Sequence, residues 1–156
     1  MLREIATRFT RVIAERRVAP RKKVSVAVRV RLAPDGDAVG HIRASEKVTL
    51  GGATRDISAC GIGLILPSIR INETYLVGEN RPLIVEVDIH DRTVIMKVIA
   101  KRYEEVGVHL SVKQFLVGAE IVEMGPTDRV AYEYFLNNAR KLMKKKGDVL
   151  ELGRLD

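Results

Sequence analysis

Cysteine occurs once in this 156-residue chain, at Cys60, and tryptophan is missing altogether. A single cysteine excludes an internal disulfide and any metal site built from several cysteines. Four tyrosines and three phenylalanines are the only aromatics, and no cluster of them lies near the basic end, which weighs against a surface that stacks nucleic-acid bases on rings. No apolar run approaches the length that spans a bilayer, and the first residues lack a signal-peptide pattern, so a cytoplasmic location is expected. His41, His90 and His109 have no metal-ligand spacing. Cys60 has no sequence partner that would make it a nucleophile and reads as a small core residue. There is no phosphate loop, dinucleotide-binding glycine pattern or nucleophile elbow. No enzyme is expected, nor any catalytic residue, metal or cofactor. Internal repeats and low-complexity tracts are also missing.

What is present is a composition of 46% hydrophobic and 30% charged residues, that of a folded chain long enough for one core. The charge is unevenly placed. Residues 1–31 hold ten Lys/Arg against two Glu, whereas the other 125 residues hold 17 against 18. A positive field confined to one end points to a localised anionic partner: nucleic acid, a membrane surface or a small phosphorylated ligand.

Residues 1–15 place Leu2, Ile5, Phe9, Val12 and Ile13 at helical spacing with Arg3, Arg8 and Arg11 between them. An amphipathic basic helix is expected, packing on the domain or on a second copy, which leaves a homodimer open; membrane contact is expected only through residues 2–15, if at all. Residues 16–23 form a basic linker, held extended by Pro20. Residues 24–125 read as short strands. Val24 to Leu32 alternates in period two, Glu46 to Ile57 is extended with a bulge or bend at Gly51-Gly52, and Ile62 to Leu66 follows a turn. Pro67 to Pro82 is a long connection with a short strand near Tyr75 to Val77. Val85–Ile89 and Val94–Ala100 form a hairpin around His90-Asp91-Arg92, and strands are expected from Val106 to Val112 and from Phe115 to Val122. Helical spacing resumes over 126–147, with Pro126 at the start, Lys144 to Lys146 near the end and Gly147 after it. Residues 148–156 form a tail. The whole is mainly β, a small antiparallel barrel closed by one helix.

Two motifs carry chemistry. Asp56-Ile57-Ser58-Ala59-Cys60-Gly61 reads Asp-x-Ser-x-x-Gly between two strand-like segments, and Arg17 and Arg21 form Arg-x-x-x-Arg in the linker. Taken singly, the first is usually a turn whose Asp and Ser bond their own backbone, and the second is a piece of solvated basic chain. Together, in this order and in a β-rich context, they resemble the PilZ domain, a bacterial receptor for the second messenger cyclic di-GMP (c-di-GMP). The resemblance implies a six-stranded antiparallel β-barrel with a C-terminal α-helix; Gly118-Ala119-Glu120-Ile121 looks like that family's last strand, with Ile121 where an aromatic is common. It also implies c-di-GMP as ligand, held by Arg17, Arg21, Asp56, Ser58 and Gly61. Arg16 directly precedes the motif, at a place that in similar domains influences whether one dinucleotide or a stacked pair binds. A guanidinium matches guanine O6 and N7 or a phosphate, and Asp56 can accept from guanine N1–H and N2–H. The expected function is an effector that closes its linker over the barrel on binding and thereby regulates an unidentified bacterial protein partner. The alternatives are a protein-interaction module with a disused site and a basic nucleic-acid-binding barrel, although no DNA is expected.

Overall fold

The computed structural model describes residues 20–34, 48–107 and 112–154, with side chains up to Leu142. The expected N-terminal helix of residues 1–15, Arg16, Arg17, His41 and His109 lie outside the described residues. The described residues form nine strands and one helix: β1 (Lys22–Lys23), β2 (Ala27–Leu32), β3 (Leu50–Ile57), β4 (Gly61–Leu66), β5 (Arg70–Ile71), β6 (Thr74–Tyr75), β7 (Pro82–Ile89), β8 (Arg92–Glu105), β9 (Phe115–Met124) and α1 (Pro126–Arg154). Six of them close a ring in the order β2, β3, β4, β9, β8, β7, every pair antiparallel. The architecture is therefore a six-stranded antiparallel barrel with one C-terminal helix.

Alternation builds the core. Leu83, Val85, Val87 and Ile89 of β7 and Val94, Met96, Val98 and Ala100 of β8 point inward, joined by Ile62, Leu64 and Leu66 of β4 and by Val117 and Ala119 of β9. Tyr132, Phe135, Leu136 and Ala139 of α1 are buried with them, so the helix closes part of the barrel. Asp128 in its first turn fixes where it starts, accepting from the Ile95 amide at 3.2 Å and from Arg92 at 2.5 Å.

Several expectations need correction. The bulge in β3 falls at Arg55, between Thr54 and Asp56, and not at Gly51-Gly52. Gly52 serves close approach instead, because a Cβ there would stand 2.2 Å from the Ile65 carbonyl oxygen. Val106, Gly107 and Val112 are not in a strand: β8 runs 14 residues to Glu105, and the Val106 amide donating to Gln114 O closes the connection to β9. α1 passes through Gly147 to Arg154, taking in most of the expected tail; one glycine costs a helix only about 1 kcal/mol, and good helix formers such as Leu and Glu follow it. Lys22 and Lys23, assigned to the linker, already pair with Ile57 and Asp56. Cys60 is partly exposed rather than in the core.

Candidate ligand-binding site

The two motifs meet because the linker's end is zipped to the strand that carries the acid. β1 and β2 both lie along β3, but their registers differ by one residue, and Val24 to Val26 bridge the break. Buried Thr54 fills it, its hydroxyl donating to Val24 O and accepting from the Val26 amide at 3.0 Å. This irregularity brings Arg21 beside Asp56, where Nη1 donates to Oδ1 at 2.9 Å. Arg21 is half exposed, so the pair adds little to stability and opens at little cost.

Asp56 begins a row that crosses the outer face of the barrel. It lies opposite Gly63, Gly63 opposite Gly118, and Gly118 opposite Arg102. Three inter-strand steps set the two ends roughly 14 Å apart in backbone position. A Cβ on Gly63 would stand 2.7 Å from Asp56 Oδ1, and one on Gly118 would stand 3.2 Å from Arg102 Nε. The carboxylate and the guanidinium therefore each lie over a glycine, and the two glycines form the floor beneath them. A cavity of about 400 Å³ sits here, lined by Arg21, Asp56, Gly63, Arg102, Tyr103 and Gly118 among others. A second of about 260 Å³ adjoins it past Arg21, Arg102 and Gly118 toward Gly61 and Lys101. The Arg55 carbonyl accepts from the Val24 amide at 3.2 Å, but the guanidinium groups of Arg55 and Arg102 have no hydrogen bond or ion pair among the described residues.

Ser58 and Gly61 hold the turn between β3 and β4. The Gly61 amide donates to Ser58 Oγ at 3.0 Å, and the Ser58 amide donates to Gly61 O at 2.9 Å. Ser58 is buried, and its hydroxyl faces the turn it builds. Gly61 is another close approach, a Cβ there falling 3.3 Å from Ala119 O and 3.6 Å from an Arg21 nitrogen. From behind, the turn is tied to α1: the buried Tyr132 hydroxyl donates to Ser58 O at 2.6 Å, and Arg129 donates to Ala59 O at 3.1 Å. Burial holds the Tyr132 hydroxyl well above the usual phenol range, with Arg129 pulling weakly the other way, so it stays a donor. Lys22 Nζ donates to Leu136 O at 2.5 Å, tying the linker end to the same helix.

Of the residues singled out in the sequence, Arg21, Asp56, Ser58 and Gly61 come together. Arg16 and Arg17 lie outside the described residues. Gly63, Arg102 and Tyr103 were missed, as was the place of Gly118. The glycines carry a signal, since an interior strand glycine marks close approach. Arg102 carries none: strand periodicity puts it on the face of Val98 and Ala100, and an extra residue at Lys101 turns it outward. Tyr103 supplies a ring at a site whose two motifs contain no aromatic, and it packs edge-on against Phe115.

No family model and no curated protein matches the chain. Solved structures do match. The PilZ domain of YcgR from Escherichia coli, solved with c-di-GMP, aligns over 85% of this chain and 98% of that one, at TM-score 0.60 and 15% identity. The MrkH–c-di-GMP complex from K. pneumonia aligns over 83% of this chain and 53% of that one, at TM-score 0.58 and 10% identity. The inhibitor of motility MotI (DgrA) from Bacillus subtilis aligns over 81% and 52%, at TM-score 0.51 and 14% identity. The chain thus spans about half the length of MrkH and of MotI. What it shares with all three is the fold, that of the PilZ domain. Among the described residues, no helix is long and apolar enough to cross a membrane.

Proposed function

We propose that this chain is a bacterial, cytoplasmic receptor for c-di-GMP that passes ligand binding on to a protein partner. The observation that carries this reading is the row Asp56–Gly63–Gly118–Arg102 with Arg21 closing over its acidic end. The glycine floor gives the Asp56 carboxylate and the Arg102 guanidinium room to lie flat along the sheet. Asp56 offers the acceptor that guanine N1–H and N2–H require, while Arg21 and Arg102 offer forked donors to guanine O6 and N7 or to phosphate. Arg17 and Arg16 add further guanidinium groups from the linker, and Arg16 favours a stacked pair of ligands over a single one. Gly61 keeps the backbone open beside Arg21, and Ser58 keeps the turn in shape.

The switch follows from how the end of the linker is held. Lys22 and Lys23 are paired to β3, so the barrel itself positions Arg21, and binding acts on the segment before Pro20. That segment closes when the dinucleotide bridges the arginines and Asp56. Ser58 and Ala59 lie between the site and α1 through their bonds to Tyr132 and Arg129, which gives the event a route to a partner-facing element.

Isothermal titration with c-di-GMP tests the proposal on the native chain and on Arg21→Ala, Asp56→Ala and Arg102→Ala. Expected is saturable binding at micromolar affinity or tighter, roughly −8 kcal/mol or better, weakened at least tenfold in each variant. Two ligands per chain are expected, and slowed amide exchange over residues 14–23. Absence of heat in the native chain would leave a barrel that acts through protein contacts alone.

A further inference from the structure

Two carboxylates line the larger cavity of the site, Asp56 and Glu104. Asp56 is held by Arg21. Glu104 is exposed, and its carboxylate has no hydrogen bond or ion pair among the described residues, although Arg21, Arg55 and Arg102 line the same cavity. Its place follows from the break in β8. Past the extra residue at Lys101 the strand alternates regularly again, so Arg102 opposite Gly118 and Glu104 opposite Leu116 share the outer face.

The order of charges across that face is specific. From β3 to β8 the sheet presents the Asp56 carboxylate over Gly63, the Arg102 guanidinium over Gly118, and then Glu104. A cation thus stands between two acceptors. Three inter-strand steps and two residues along the strand set the backbones of Asp56 and Glu104 roughly 16 Å apart. Cyclic di-GMP has the complementary order, a guanine on either side of a ring that holds two phosphates. Each guanine edge carries N1–H and N2–H side by side, a pair of donors that the two oxygens of one carboxylate can accept. Asp56 can satisfy one such edge only, and the donors of a second edge would lose water without replacement unless another acceptor meets them. Glu120, the acid of the adjoining cavity, lies 3.8 Å from Lys101, which leaves Glu104 as the acid free to turn to a ligand.

We infer that Glu104 is a second guanine-reading residue, accepting from N1–H and N2–H of a base other than the one at Asp56. The inference rests on c-di-GMP being the ligand and adds a selectivity to it: guanine is read at two places, with Arg102 between them for phosphate.

Cyclic di-IMP is the probe, because it keeps the ring, both phosphates and both N1–H groups and lacks only the two exocyclic amino groups. Isothermal titration compares it with c-di-GMP on the native chain and on Glu104→Ala. A hydrogen bond to a charged acceptor is worth about tenfold in affinity, so the native chain should prefer c-di-GMP about a hundredfold. In Glu104→Ala that preference should shrink about tenfold, while cooperative unfolding in urea stays native because the residue is exposed. A change by the same factor for both ligands would make Glu104 a source of electrostatic field alone, and no change for either would give it no part in binding. Both results overturn the inference and leave the receptor standing. A native chain that binds neither dinucleotide overturns the c-di-GMP assignment itself, and this inference with it.

Discussion

Gly63 and Gly51 differ in what surrounds them, and that difference separates the floor of the proposed site from ordinary strand chemistry. Both are glycines on neighbouring strands of the barrel. A Cβ on Gly51 would meet nothing within 4 Å, whereas one on Gly63 would meet the Asp56 carboxylate at 2.7 Å. The clash falls on the end of a side chain, so it is relieved by swinging the carboxylate away rather than by moving backbone. Gly63→Ala is therefore expected to change unfolding free energy by no more than about 1 kcal/mol, yet to weaken c-di-GMP binding at least tenfold because Asp56 no longer lies over the floor. Gly51→Ala should change neither. Titration paired with chemical denaturation decides it, and equal affinities for the two variants would sink the role given to the floor.

Strands and their irregularities raise a different question, how firmly the elements hold Arg21 and the barrel wall. Thr54→Val keeps the shape of the side chain but removes both bonds across the β1–β2 break, leaving Val24 O and the Val26 amide short of a partner. A loss of about 1–3 kcal/mol is expected in urea denaturation, together with faster exchange at Lys22 and Lys23. On the opposite wall, Arg29 of β2 donates to Glu86 at 3.0 Å and to both oxygens of Asp88 at 2.9 Å, and Arg31 donates to Glu86 at 3.0 Å. Hydrogen bonds from Arg29 are the main cause that holds both carboxyls below their ordinary range. Carboxyls depressed in the folded state add stability that is complete above their unfolded values, near pH 4, and is lost as pH falls through the folded-state values. Arg29→Met should flatten that acid limb while costing no more than about 1 kcal/mol at pH 7, because Arg29 and Asp88 are partly exposed; an unchanged limb below pH 4 would refute it. How far these elements could be read from sequence follows the same physics. Clean alternation in Val85–Ile89 and Val94–Ala100 marked the hairpin, since inward and outward positions differ in polarity. The extra residues at Arg55 and Lys101 left no such mark, because each stands next to a second charged residue, Asp56 or Arg102, and two charged neighbours show no change of face. Those two breaks are what align Asp56 with Gly63 and Arg102 with Gly118, so the motifs were legible while the row joining them was not.

For the molecule as a whole, the question is whether a surface site can move a helix on the far side of a turn. The path is short: Ser58 and Gly61 are bonded to each other, Ser58 O accepts from Tyr132, and Ala59 O accepts from Arg129. A ligand that takes over the Arg21–Asp56 pair acts on the end of β3, one residue before Ile57 and two before Ser58. Linkage makes the effect reciprocal: the factor by which ligand stabilises the packing of α1 on the turn is the factor by which that packing tightens ligand, typically 5–150-fold for coupled sites. Tyr132→Phe removes one hydroxyl and keeps the ring in the core. It should cost about 1–2 kcal/mol of stability, since Ser58 O is left without that donor. It should also weaken c-di-GMP binding about fivefold and diminish the ligand-induced slowing of exchange over residues 127–136 by a similar factor. The two changes must move together. Weaker binding with full helix protection would mean that the turn merely shapes the site, and lost protection at native affinity would break the linkage on which a ligand-driven signal through α1 depends.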